Sequence, residues 1–90
     1  MTDKIFMQLC KDIVREYIVR EYVDNHLDKS DEIPCYEVYI VWYCKTLQNW
    51  KALASTTLTD GMYYELTLNG DRNEIYLDAY KKFSNEVIKL

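Results

Sequence analysis

Apolar positions recur at helical spacing through the first twenty residues. Phe6, Leu9, Cys10, Ile13, Val14 and Tyr17 share one arc of a helical projection, with Lys4, Lys11, Asp12, Arg15 and Glu16 opposite. Thr2 is placed to cap this helix, and Asp3 sits where the helix dipole favours a negative charge. The pattern predicts a helix over about residues 3–27. Beyond Ile18 the two arcs exchange: Val19, Tyr22, Val23 and His26 occupy the side that was charged, and Arg20, Glu21 and Asp24 the side that was apolar. The cause is a tandem repeat, Ile13-Val14-Arg15-Glu16-Tyr17 followed at once by Ile18-Val19-Arg20-Glu21-Tyr22. Five residues advance a helix by roughly 140° beyond a full turn, so a copied segment must point elsewhere. Two readings stay open. Either the helix bends near Ile18 or Val19 and both faces reach one core, or it stays straight and another chain buries its second face, most simply in a two-fold dimer.

The period then changes. Residues 28–35 are polar and include Pro34, which biases Ile33 away from helical geometry and predicts a loop. From Tyr36 to Lys45, Val38, Ile40, Trp42 and Cys44 alternate with Tyr39, Val41 and Tyr43, which predicts a strand rich in β-branched and aromatic residues. Leu47 to Asn49 form a turn, and Trp50, Ala52 and Ala54 alternate with Lys51 and Ser55 in a second strand. Asp60-Gly61 introduces a third strand from Met62 to Leu68, and Asn69-Gly70-Asp71-Arg72 reads as a further turn. With those four residues as a hairpin loop, Leu66 faces Ile75, Tyr64 faces Leu77 and Met62 faces Ala79. That register favours a fourth strand from Asn73 to Tyr80, although Tyr76, Leu77, Tyr80, Phe83 and Val87 also fit a helical stripe. The tail, residues 81–90, is left as a short helix or a further edge.

The expected architecture is α+β: one domain over residues 1–90, with the long N-terminal helix packed on a three- to four-stranded antiparallel meander spanning residues 36–80. One sheet face meets the first helix arc; the other is expected to present Tyr39, Tyr43, Tyr63 and Tyr76 with Val41. A chain of 90 residues with 49% hydrophobic content, two glycines and one proline has the means for a core and little room for linkers. It contains nine tyrosines, a side chain that joins large contact area to a polar tip, so clusters of it on a surface suit adhesion.

Candidate chemistry is sparse. His26 is the one histidine and has no nucleophile at a triad-like spacing. Cys10, Cys35 and Cys44 show none of the paired spacings of a zinc or redox site and read as reduced thiols. Asp24, Asp28, Asp31, Glu32 and Glu37 cluster without the rhythm or central glycine of a calcium loop, and Gly61 and Gly70 stand apart from any phosphate cradle. No enzyme activity, metal or cofactor is expected. A formal net charge of −4 argues against nucleic acid as partner. Without a long apolar run or a signal-peptide pattern, a membrane is not expected either, and the cytoplasm is the expected location.

The stretch Val38-Tyr39-Ile40-Val41-Trp42-Tyr43-Cys44-Lys45-Thr46-Leu47-Gln48-Asn49-Trp50-Lys51-Ala52-Leu53 resembles a family of small uncharacterised phage and prophage proteins of Gram-positive bacteria. So do Leu9 to Tyr17, Asp60 to Glu65, Asn69-Gly70-Asp71 and Tyr76 to Lys82. The second copy of the repeat, Ile18 to Tyr22, departs from that pattern. The resemblance implies no activity; it implies a phage-encoded accessory protein in the host cytoplasm that modulates or inhibits a host protein, for instance a defence nuclease such as a CRISPR effector. The alternative is a self-assembling protein of phage replication or morphogenesis. The candidate partner-binding residues are Val19, Tyr22 and Val23 on the second helix face, where a homodimer could form, and Tyr39, Tyr43, Tyr63 and Tyr76 on the sheet.

Overall fold

A computed structural model of the chain describes residues 1–25 and 34–90, with helix side chains given as far as Glu21. His26, the polar stretch from Asp28 to Ile33 and the side chains of Tyr22 and Val23 lie outside the described residues. Among the described residues one helix, α1 (Asp3–Asn25), is followed by four strands: β1 (Val38–Thr46), β2 (Asn49–Thr56), β3 (Met62–Asn69) and β4 (Glu74–Lys81). The strands form one antiparallel sheet in the order β1-β2-β3-β4. This is the predicted α+β fold, with the fourth segment a strand.

Thr2 caps α1 as its side chain suggests: its Oγ1 accepts the Ile5 N–H at 3.2 Å, and its carbonyl accepts the Phe6 N–H at 3.0 Å. The helix runs unbroken through the repeat. Phe6, Cys10, Val14 and Ile18 are buried at successive i+4 steps, with Ile13 and Tyr17 half-buried beside them. Each i+4 step drifts about 40° round the axis, which carries the apolar stripe from the first repeat copy to Ile18 of the second. Val19 lies outside the stripe and is 46% exposed, so this residue does not reach the core.

The helix lies mainly over β1 and β2. Its stripe packs on Val38, Trp50, Ala52, Ala54, Tyr64, Leu66 and Leu68, with Ile40, Ile75 and Leu77 half-buried at the margins. Small residues at 52 and 54 admit the helix; Phe6 stacks on Trp50 with ring centroids 4.9 Å apart, and Tyr17 meets Tyr64 edge-on at 5.7 Å. Burying side chains such as Phe6, Val14 and Leu66 stabilises the fold by about 1.5–3 kcal/mol each.

Two details differ from the sequence reading. The β3–β4 hairpin pairs Leu66 with Leu77, Tyr64 with Ala79 and Met62 with Lys81, two positions beyond the expected partners. Asn69 remains in β3, and its Oδ1 accepts the N–H groups of Asp71 and Arg72, while Asn73 closes the loop with φ of 52°. A slip of two preserves which side chains share a face, so Tyr64, Leu66 and Leu68 keep apolar partners, and Met62 faces Lys81. The second difference is in β1. Register shifts between Ile40 and Trp42, so Ile40 pairs with Ala54 but Trp42 pairs with Leu53. Val41 is the extra residue of a β-bulge, and it reverses the parity of everything after it. Trp42 and Cys44, expected inward, leave the helix face, and Tyr43, expected outward, joins it.

Two hairpin loops meet at one end of the sheet. Gly70 donates its N–H to Asn49 Oδ1 at 3.2 Å, and a Cβ there would collide with the Gln48 carbonyl oxygen. In the neighbouring turn Leu47 holds φ of 56° while 80% exposed, a left-handed backbone with no packing to offset its cost. Leu47→Gly should therefore stabilise the protein by about 0.5–1 kcal/mol, the steric relief of about 1–2 kcal/mol exceeding glycine's added chain entropy. An upward shift of the urea midpoint at constant slope is the expected reading.

Candidate interaction surface

The face of the sheet turned away from α1 is built in three cross-strand rows. Tyr39, Ser55, Tyr63 and Tyr80 form the first; Trp42, Leu53, Glu65 and Asp78 the second; Cys44, Lys51, Thr67 and Tyr76 the third. Each strand alternates, so these residues follow directly from the inward-facing set once the bulge is included. Tyr39, Trp42, Tyr76 and Tyr80 are 43–52% exposed, and Tyr63 and Leu53 are half-buried among them. Ser55 is buried because it lies between Tyr39 and Tyr63, and its hydroxyl donates to the Met62 carbonyl at 2.8 Å.

Charge on this face is largely committed. Lys51 Nζ stands 3.0 Å from Glu65 Oε1, and the hydrogen bond and charge of Glu65 hold the ammonium above its ordinary range. The Tyr76 hydroxyl donates to Glu74 Oε2 at 2.6 Å, and that carboxylate raises the phenol. Asp78 pairs in register with Glu65, leaving an acidic spot amid the aromatics. The surface is therefore apolar and aromatic with a negative centre.

The sequence-derived candidates divide accordingly. Tyr39, Tyr63 and Tyr76 do share the outer face. Tyr43 does not: its hydroxyl donates to Asp3 Oδ2 at 3.0 Å at the start of α1, which raises the phenol and ties strand to helix. Val19 is exposed on α1, away from the tyrosines, and Tyr22 and Val23 follow it beyond the described side chains. Trp42, Leu53 and Tyr80 were not among the candidates. Val38 to Cys44 is apolar at both parities, so alternation could not locate the bulge that turns Trp42 outward.

Beside the core, Tyr17, Ile18, Glu21, Asp60, Met62 and Tyr64 line a cleft of about 140 Å³ between α1 and the start of β3. Among the described residues no group of three or more His, Cys, Asp or Glu is arranged to hold a metal ion, and no helix is long and apolar enough to cross a membrane.

With this geometry in hand, comparison with known proteins gives one match. A model of a family of unknown function, DUF6275, covers residues 7–90. The chain belongs to the DUF6275 family. The matched region takes in nearly all of α1, the whole sheet and the C-terminal tail, so the outer face is set within the family unit. No curated protein and no solved structure matches the chain.

The three thiols differ in exposure, with Cys10 on α1, Cys35 ahead of β1 and Cys44 on the outer face of β1. Cys44 and Cys35 are exposed, whereas Cys10 is buried and its thiol is pushed up from 9.0 to about 12 by desolvation. A thiol reagent should modify Cys35 and Cys44 in the native protein and Cys10 only on unfolding. Because the unfolded thiol ionises near 9.0 while the folded one keeps its proton, the contribution of Cys10 is complete below that pH and is lost between pH 9 and about 12. The stability difference between wild type and Cys10→Ala, measured by urea titration, should shrink across that window.

Proposed function

We propose that the protein acts by stoichiometric binding to another protein through the outer face of its sheet, and that it is a phage-encoded accessory factor working on a host protein in the host cytoplasm. The observation that carries this reading is the cluster of Tyr39, Trp42, Tyr63, Tyr76 and Tyr80 around Leu53 on a face that no element of the described chain covers. Tyr and Trp are the residues that most often dominate binding energy at protein interfaces, because they bury large area at small entropic cost. Glu65 and Asp78 within the cluster favour a partner whose contact patch is apolar around a basic centre. They also disfavour a phosphate backbone, since Lys51 is already engaged by Glu65.

The resemblance to phage and prophage proteins supplies the setting. A defence nuclease, whose nucleic-acid groove is basic, is the concrete form of target that suits this surface, and inhibition by occupancy needs no catalytic group in the inhibitor. Immobilised protein should retain a partner from lysate of the Gram-positive host, and Tyr39→Ala combined with Trp42→Ala should reduce that retention by at least about 30-fold, the loss of roughly 2 kcal/mol. Val19→Lys, on the helix, should retain the partner fully. Equal recovery by wild type and the double variant would remove the outer face from the function.

A further inference from the structure

The last strand stands at an edge of the sheet with its backbone set to extend it. β4 pairs with β3 at every residue from Glu74 to Lys81 without a register shift, and among the described residues no strand lies on its other side. The Lys82 N–H donates to the Gly61 carbonyl at 2.7 Å, one step beyond the Met62–Lys81 pair. Hydrogen-bonded positions alternate along an antiparallel ladder, so the even-numbered residues of β4 direct their N–H and C=O groups at β3, while Ile75, Leu77, Ala79 and Lys81 direct theirs at the open edge. The Met62 carbonyl, turned toward β2 to accept the Ser55 hydroxyl, fits the same alternation. The opposite edge differs, because the bulge at Val41 interrupts β1. β4 has no bulge, proline or glycine to blunt it, and an edge this regular is a template for another strand.

The side chains of β4 say which strand fits. Glu74, Tyr76, Asp78 and Tyr80 point outward, carboxylate and phenol in turn, and Ile75, Leu77 and Ala79 point inward. Because α1 lies mainly over β1 and β2, that inward row is incompletely covered: Ile75 and Leu77 are half-buried and Ala79 is exposed. Laid antiparallel against a copy of itself about Leu77, the strand sets Leu77 opposite Leu77, Ile75 opposite Ala79, Tyr76 opposite Asp78 and Tyr80 opposite Glu74. Each carboxylate then meets a phenol and each inward side chain an apolar one. Neighbouring registers are worse. Centring on Tyr76 sets Glu74 against Asp78, centring on Asp78 sets that carboxylate against itself, and centring on Ala79 brings Lys81 against Leu77. Lys81, the charged side chain on the inward row, ends the strand and falls outside the pairing about Leu77.

We propose that the chain forms a two-fold dimer in which β4 of one copy pairs antiparallel with β4 of a second, centred on Leu77, joining the two four-stranded sheets into one. The occupant of the edge is a second copy because the edge complements itself about a two-fold axis, in backbone and in both rows of side chains. The open N–H and C=O groups of Ile75, Leu77 and Ala79 meet those of Ala79, Leu77 and Ile75. Such a contact is isologous and uses the one regular open edge of each copy, so it closes at two. The axis runs perpendicular to the sheet, which sets the two aromatic outer faces side by side on the same surface. The outer face is extended and stays uncovered, so the dimer stands independently of the proposed function.

The test is the solution mass of the full chain by sedimentation equilibrium from micromolar to millimolar concentration. The proposal expects a dimer of the 10.8 kDa chain. Ala79→Pro removes an N–H that faces the open edge and none that faces β3, so it should raise the dimer dissociation constant at least about tenfold while the far-ultraviolet spectrum is kept. Tyr76→Glu, at an exposed position, sets a carboxylate against Asp78 twice in each dimer and should weaken it at least about tenfold as well. Adding Asp78→Lys to Tyr76→Glu should restore the dimer, which a contact elsewhere would not do. A wild type that stays monomeric at millimolar concentration overturns the proposal. A dimer that Ala79→Pro and Tyr76→Glu both leave unchanged overturns it equally, and places the interface away from β4.

Discussion

The i+4 ladder of Phe6, Cys10, Val14 and Ile18 against the small residues Ala52 and Ala54 is the contact on which the rest of the molecule depends. A single helix can cover only one side of a four-stranded sheet, and here it is seated toward β1 and β2. A short chain with one helix and one sheet must leave surfaces that a larger protein would bury. Two follow from the seating of α1: the whole outer face, and the inward side of β4. On the first the sequence puts the aromatic cluster, and on the second the half-buried Ile75 and Leu77 with Ala79 exposed.

The bulge at Val41 decides what each surface contains. By inserting one residue between Ile40 and Trp42 it brings Tyr43 under the helix, where it bonds Asp3, and sends Trp42 out among the tyrosines. It also places Lys45 over the Trp50 ring, with Nζ 5.2 Å from the centroid. Without the bulge the outer face would gain Tyr43 and lose its tryptophan. Helix attachment and the composition of the outer surface are thus set by the same backbone irregularity.

Much of this was legible in the sequence. The Thr2 cap, the first apolar arc and four strands follow from periodicity and turn chemistry, and the structure bears them out. Periodicity failed where it carries no information: Val38 to Cys44 is apolar at every position, so either parity could face the core. Of the two readings the tandem repeat left open, the unbroken helix with Val19 exposed agrees with the straight one, while Ile18 continues the buried stripe and the side chains of Tyr22 and Val23 lie outside the described residues. The hairpin loop was misplaced because Asn69 and Asn73 are both good loop residues, and only the side-chain bonds of Asn69 show which one remains in the strand.

The two tryptophans allow the bulge, and with it the outer face, to be tested directly. Trp50 is 4% exposed under Phe6, and Trp42 is 43% exposed on the opposite side. Acrylamide quenching of the native protein should resolve one accessible and one protected emitter, and Trp42→Phe should abolish the accessible one, leaving blue-shifted, weakly quenched emission from Trp50. If the emission remaining in Trp42→Phe is as readily quenched as that of the wild type, or if wild-type protein shows no accessible tryptophan, then β1 has no bulge at Val41 and the outer face is not the surface described.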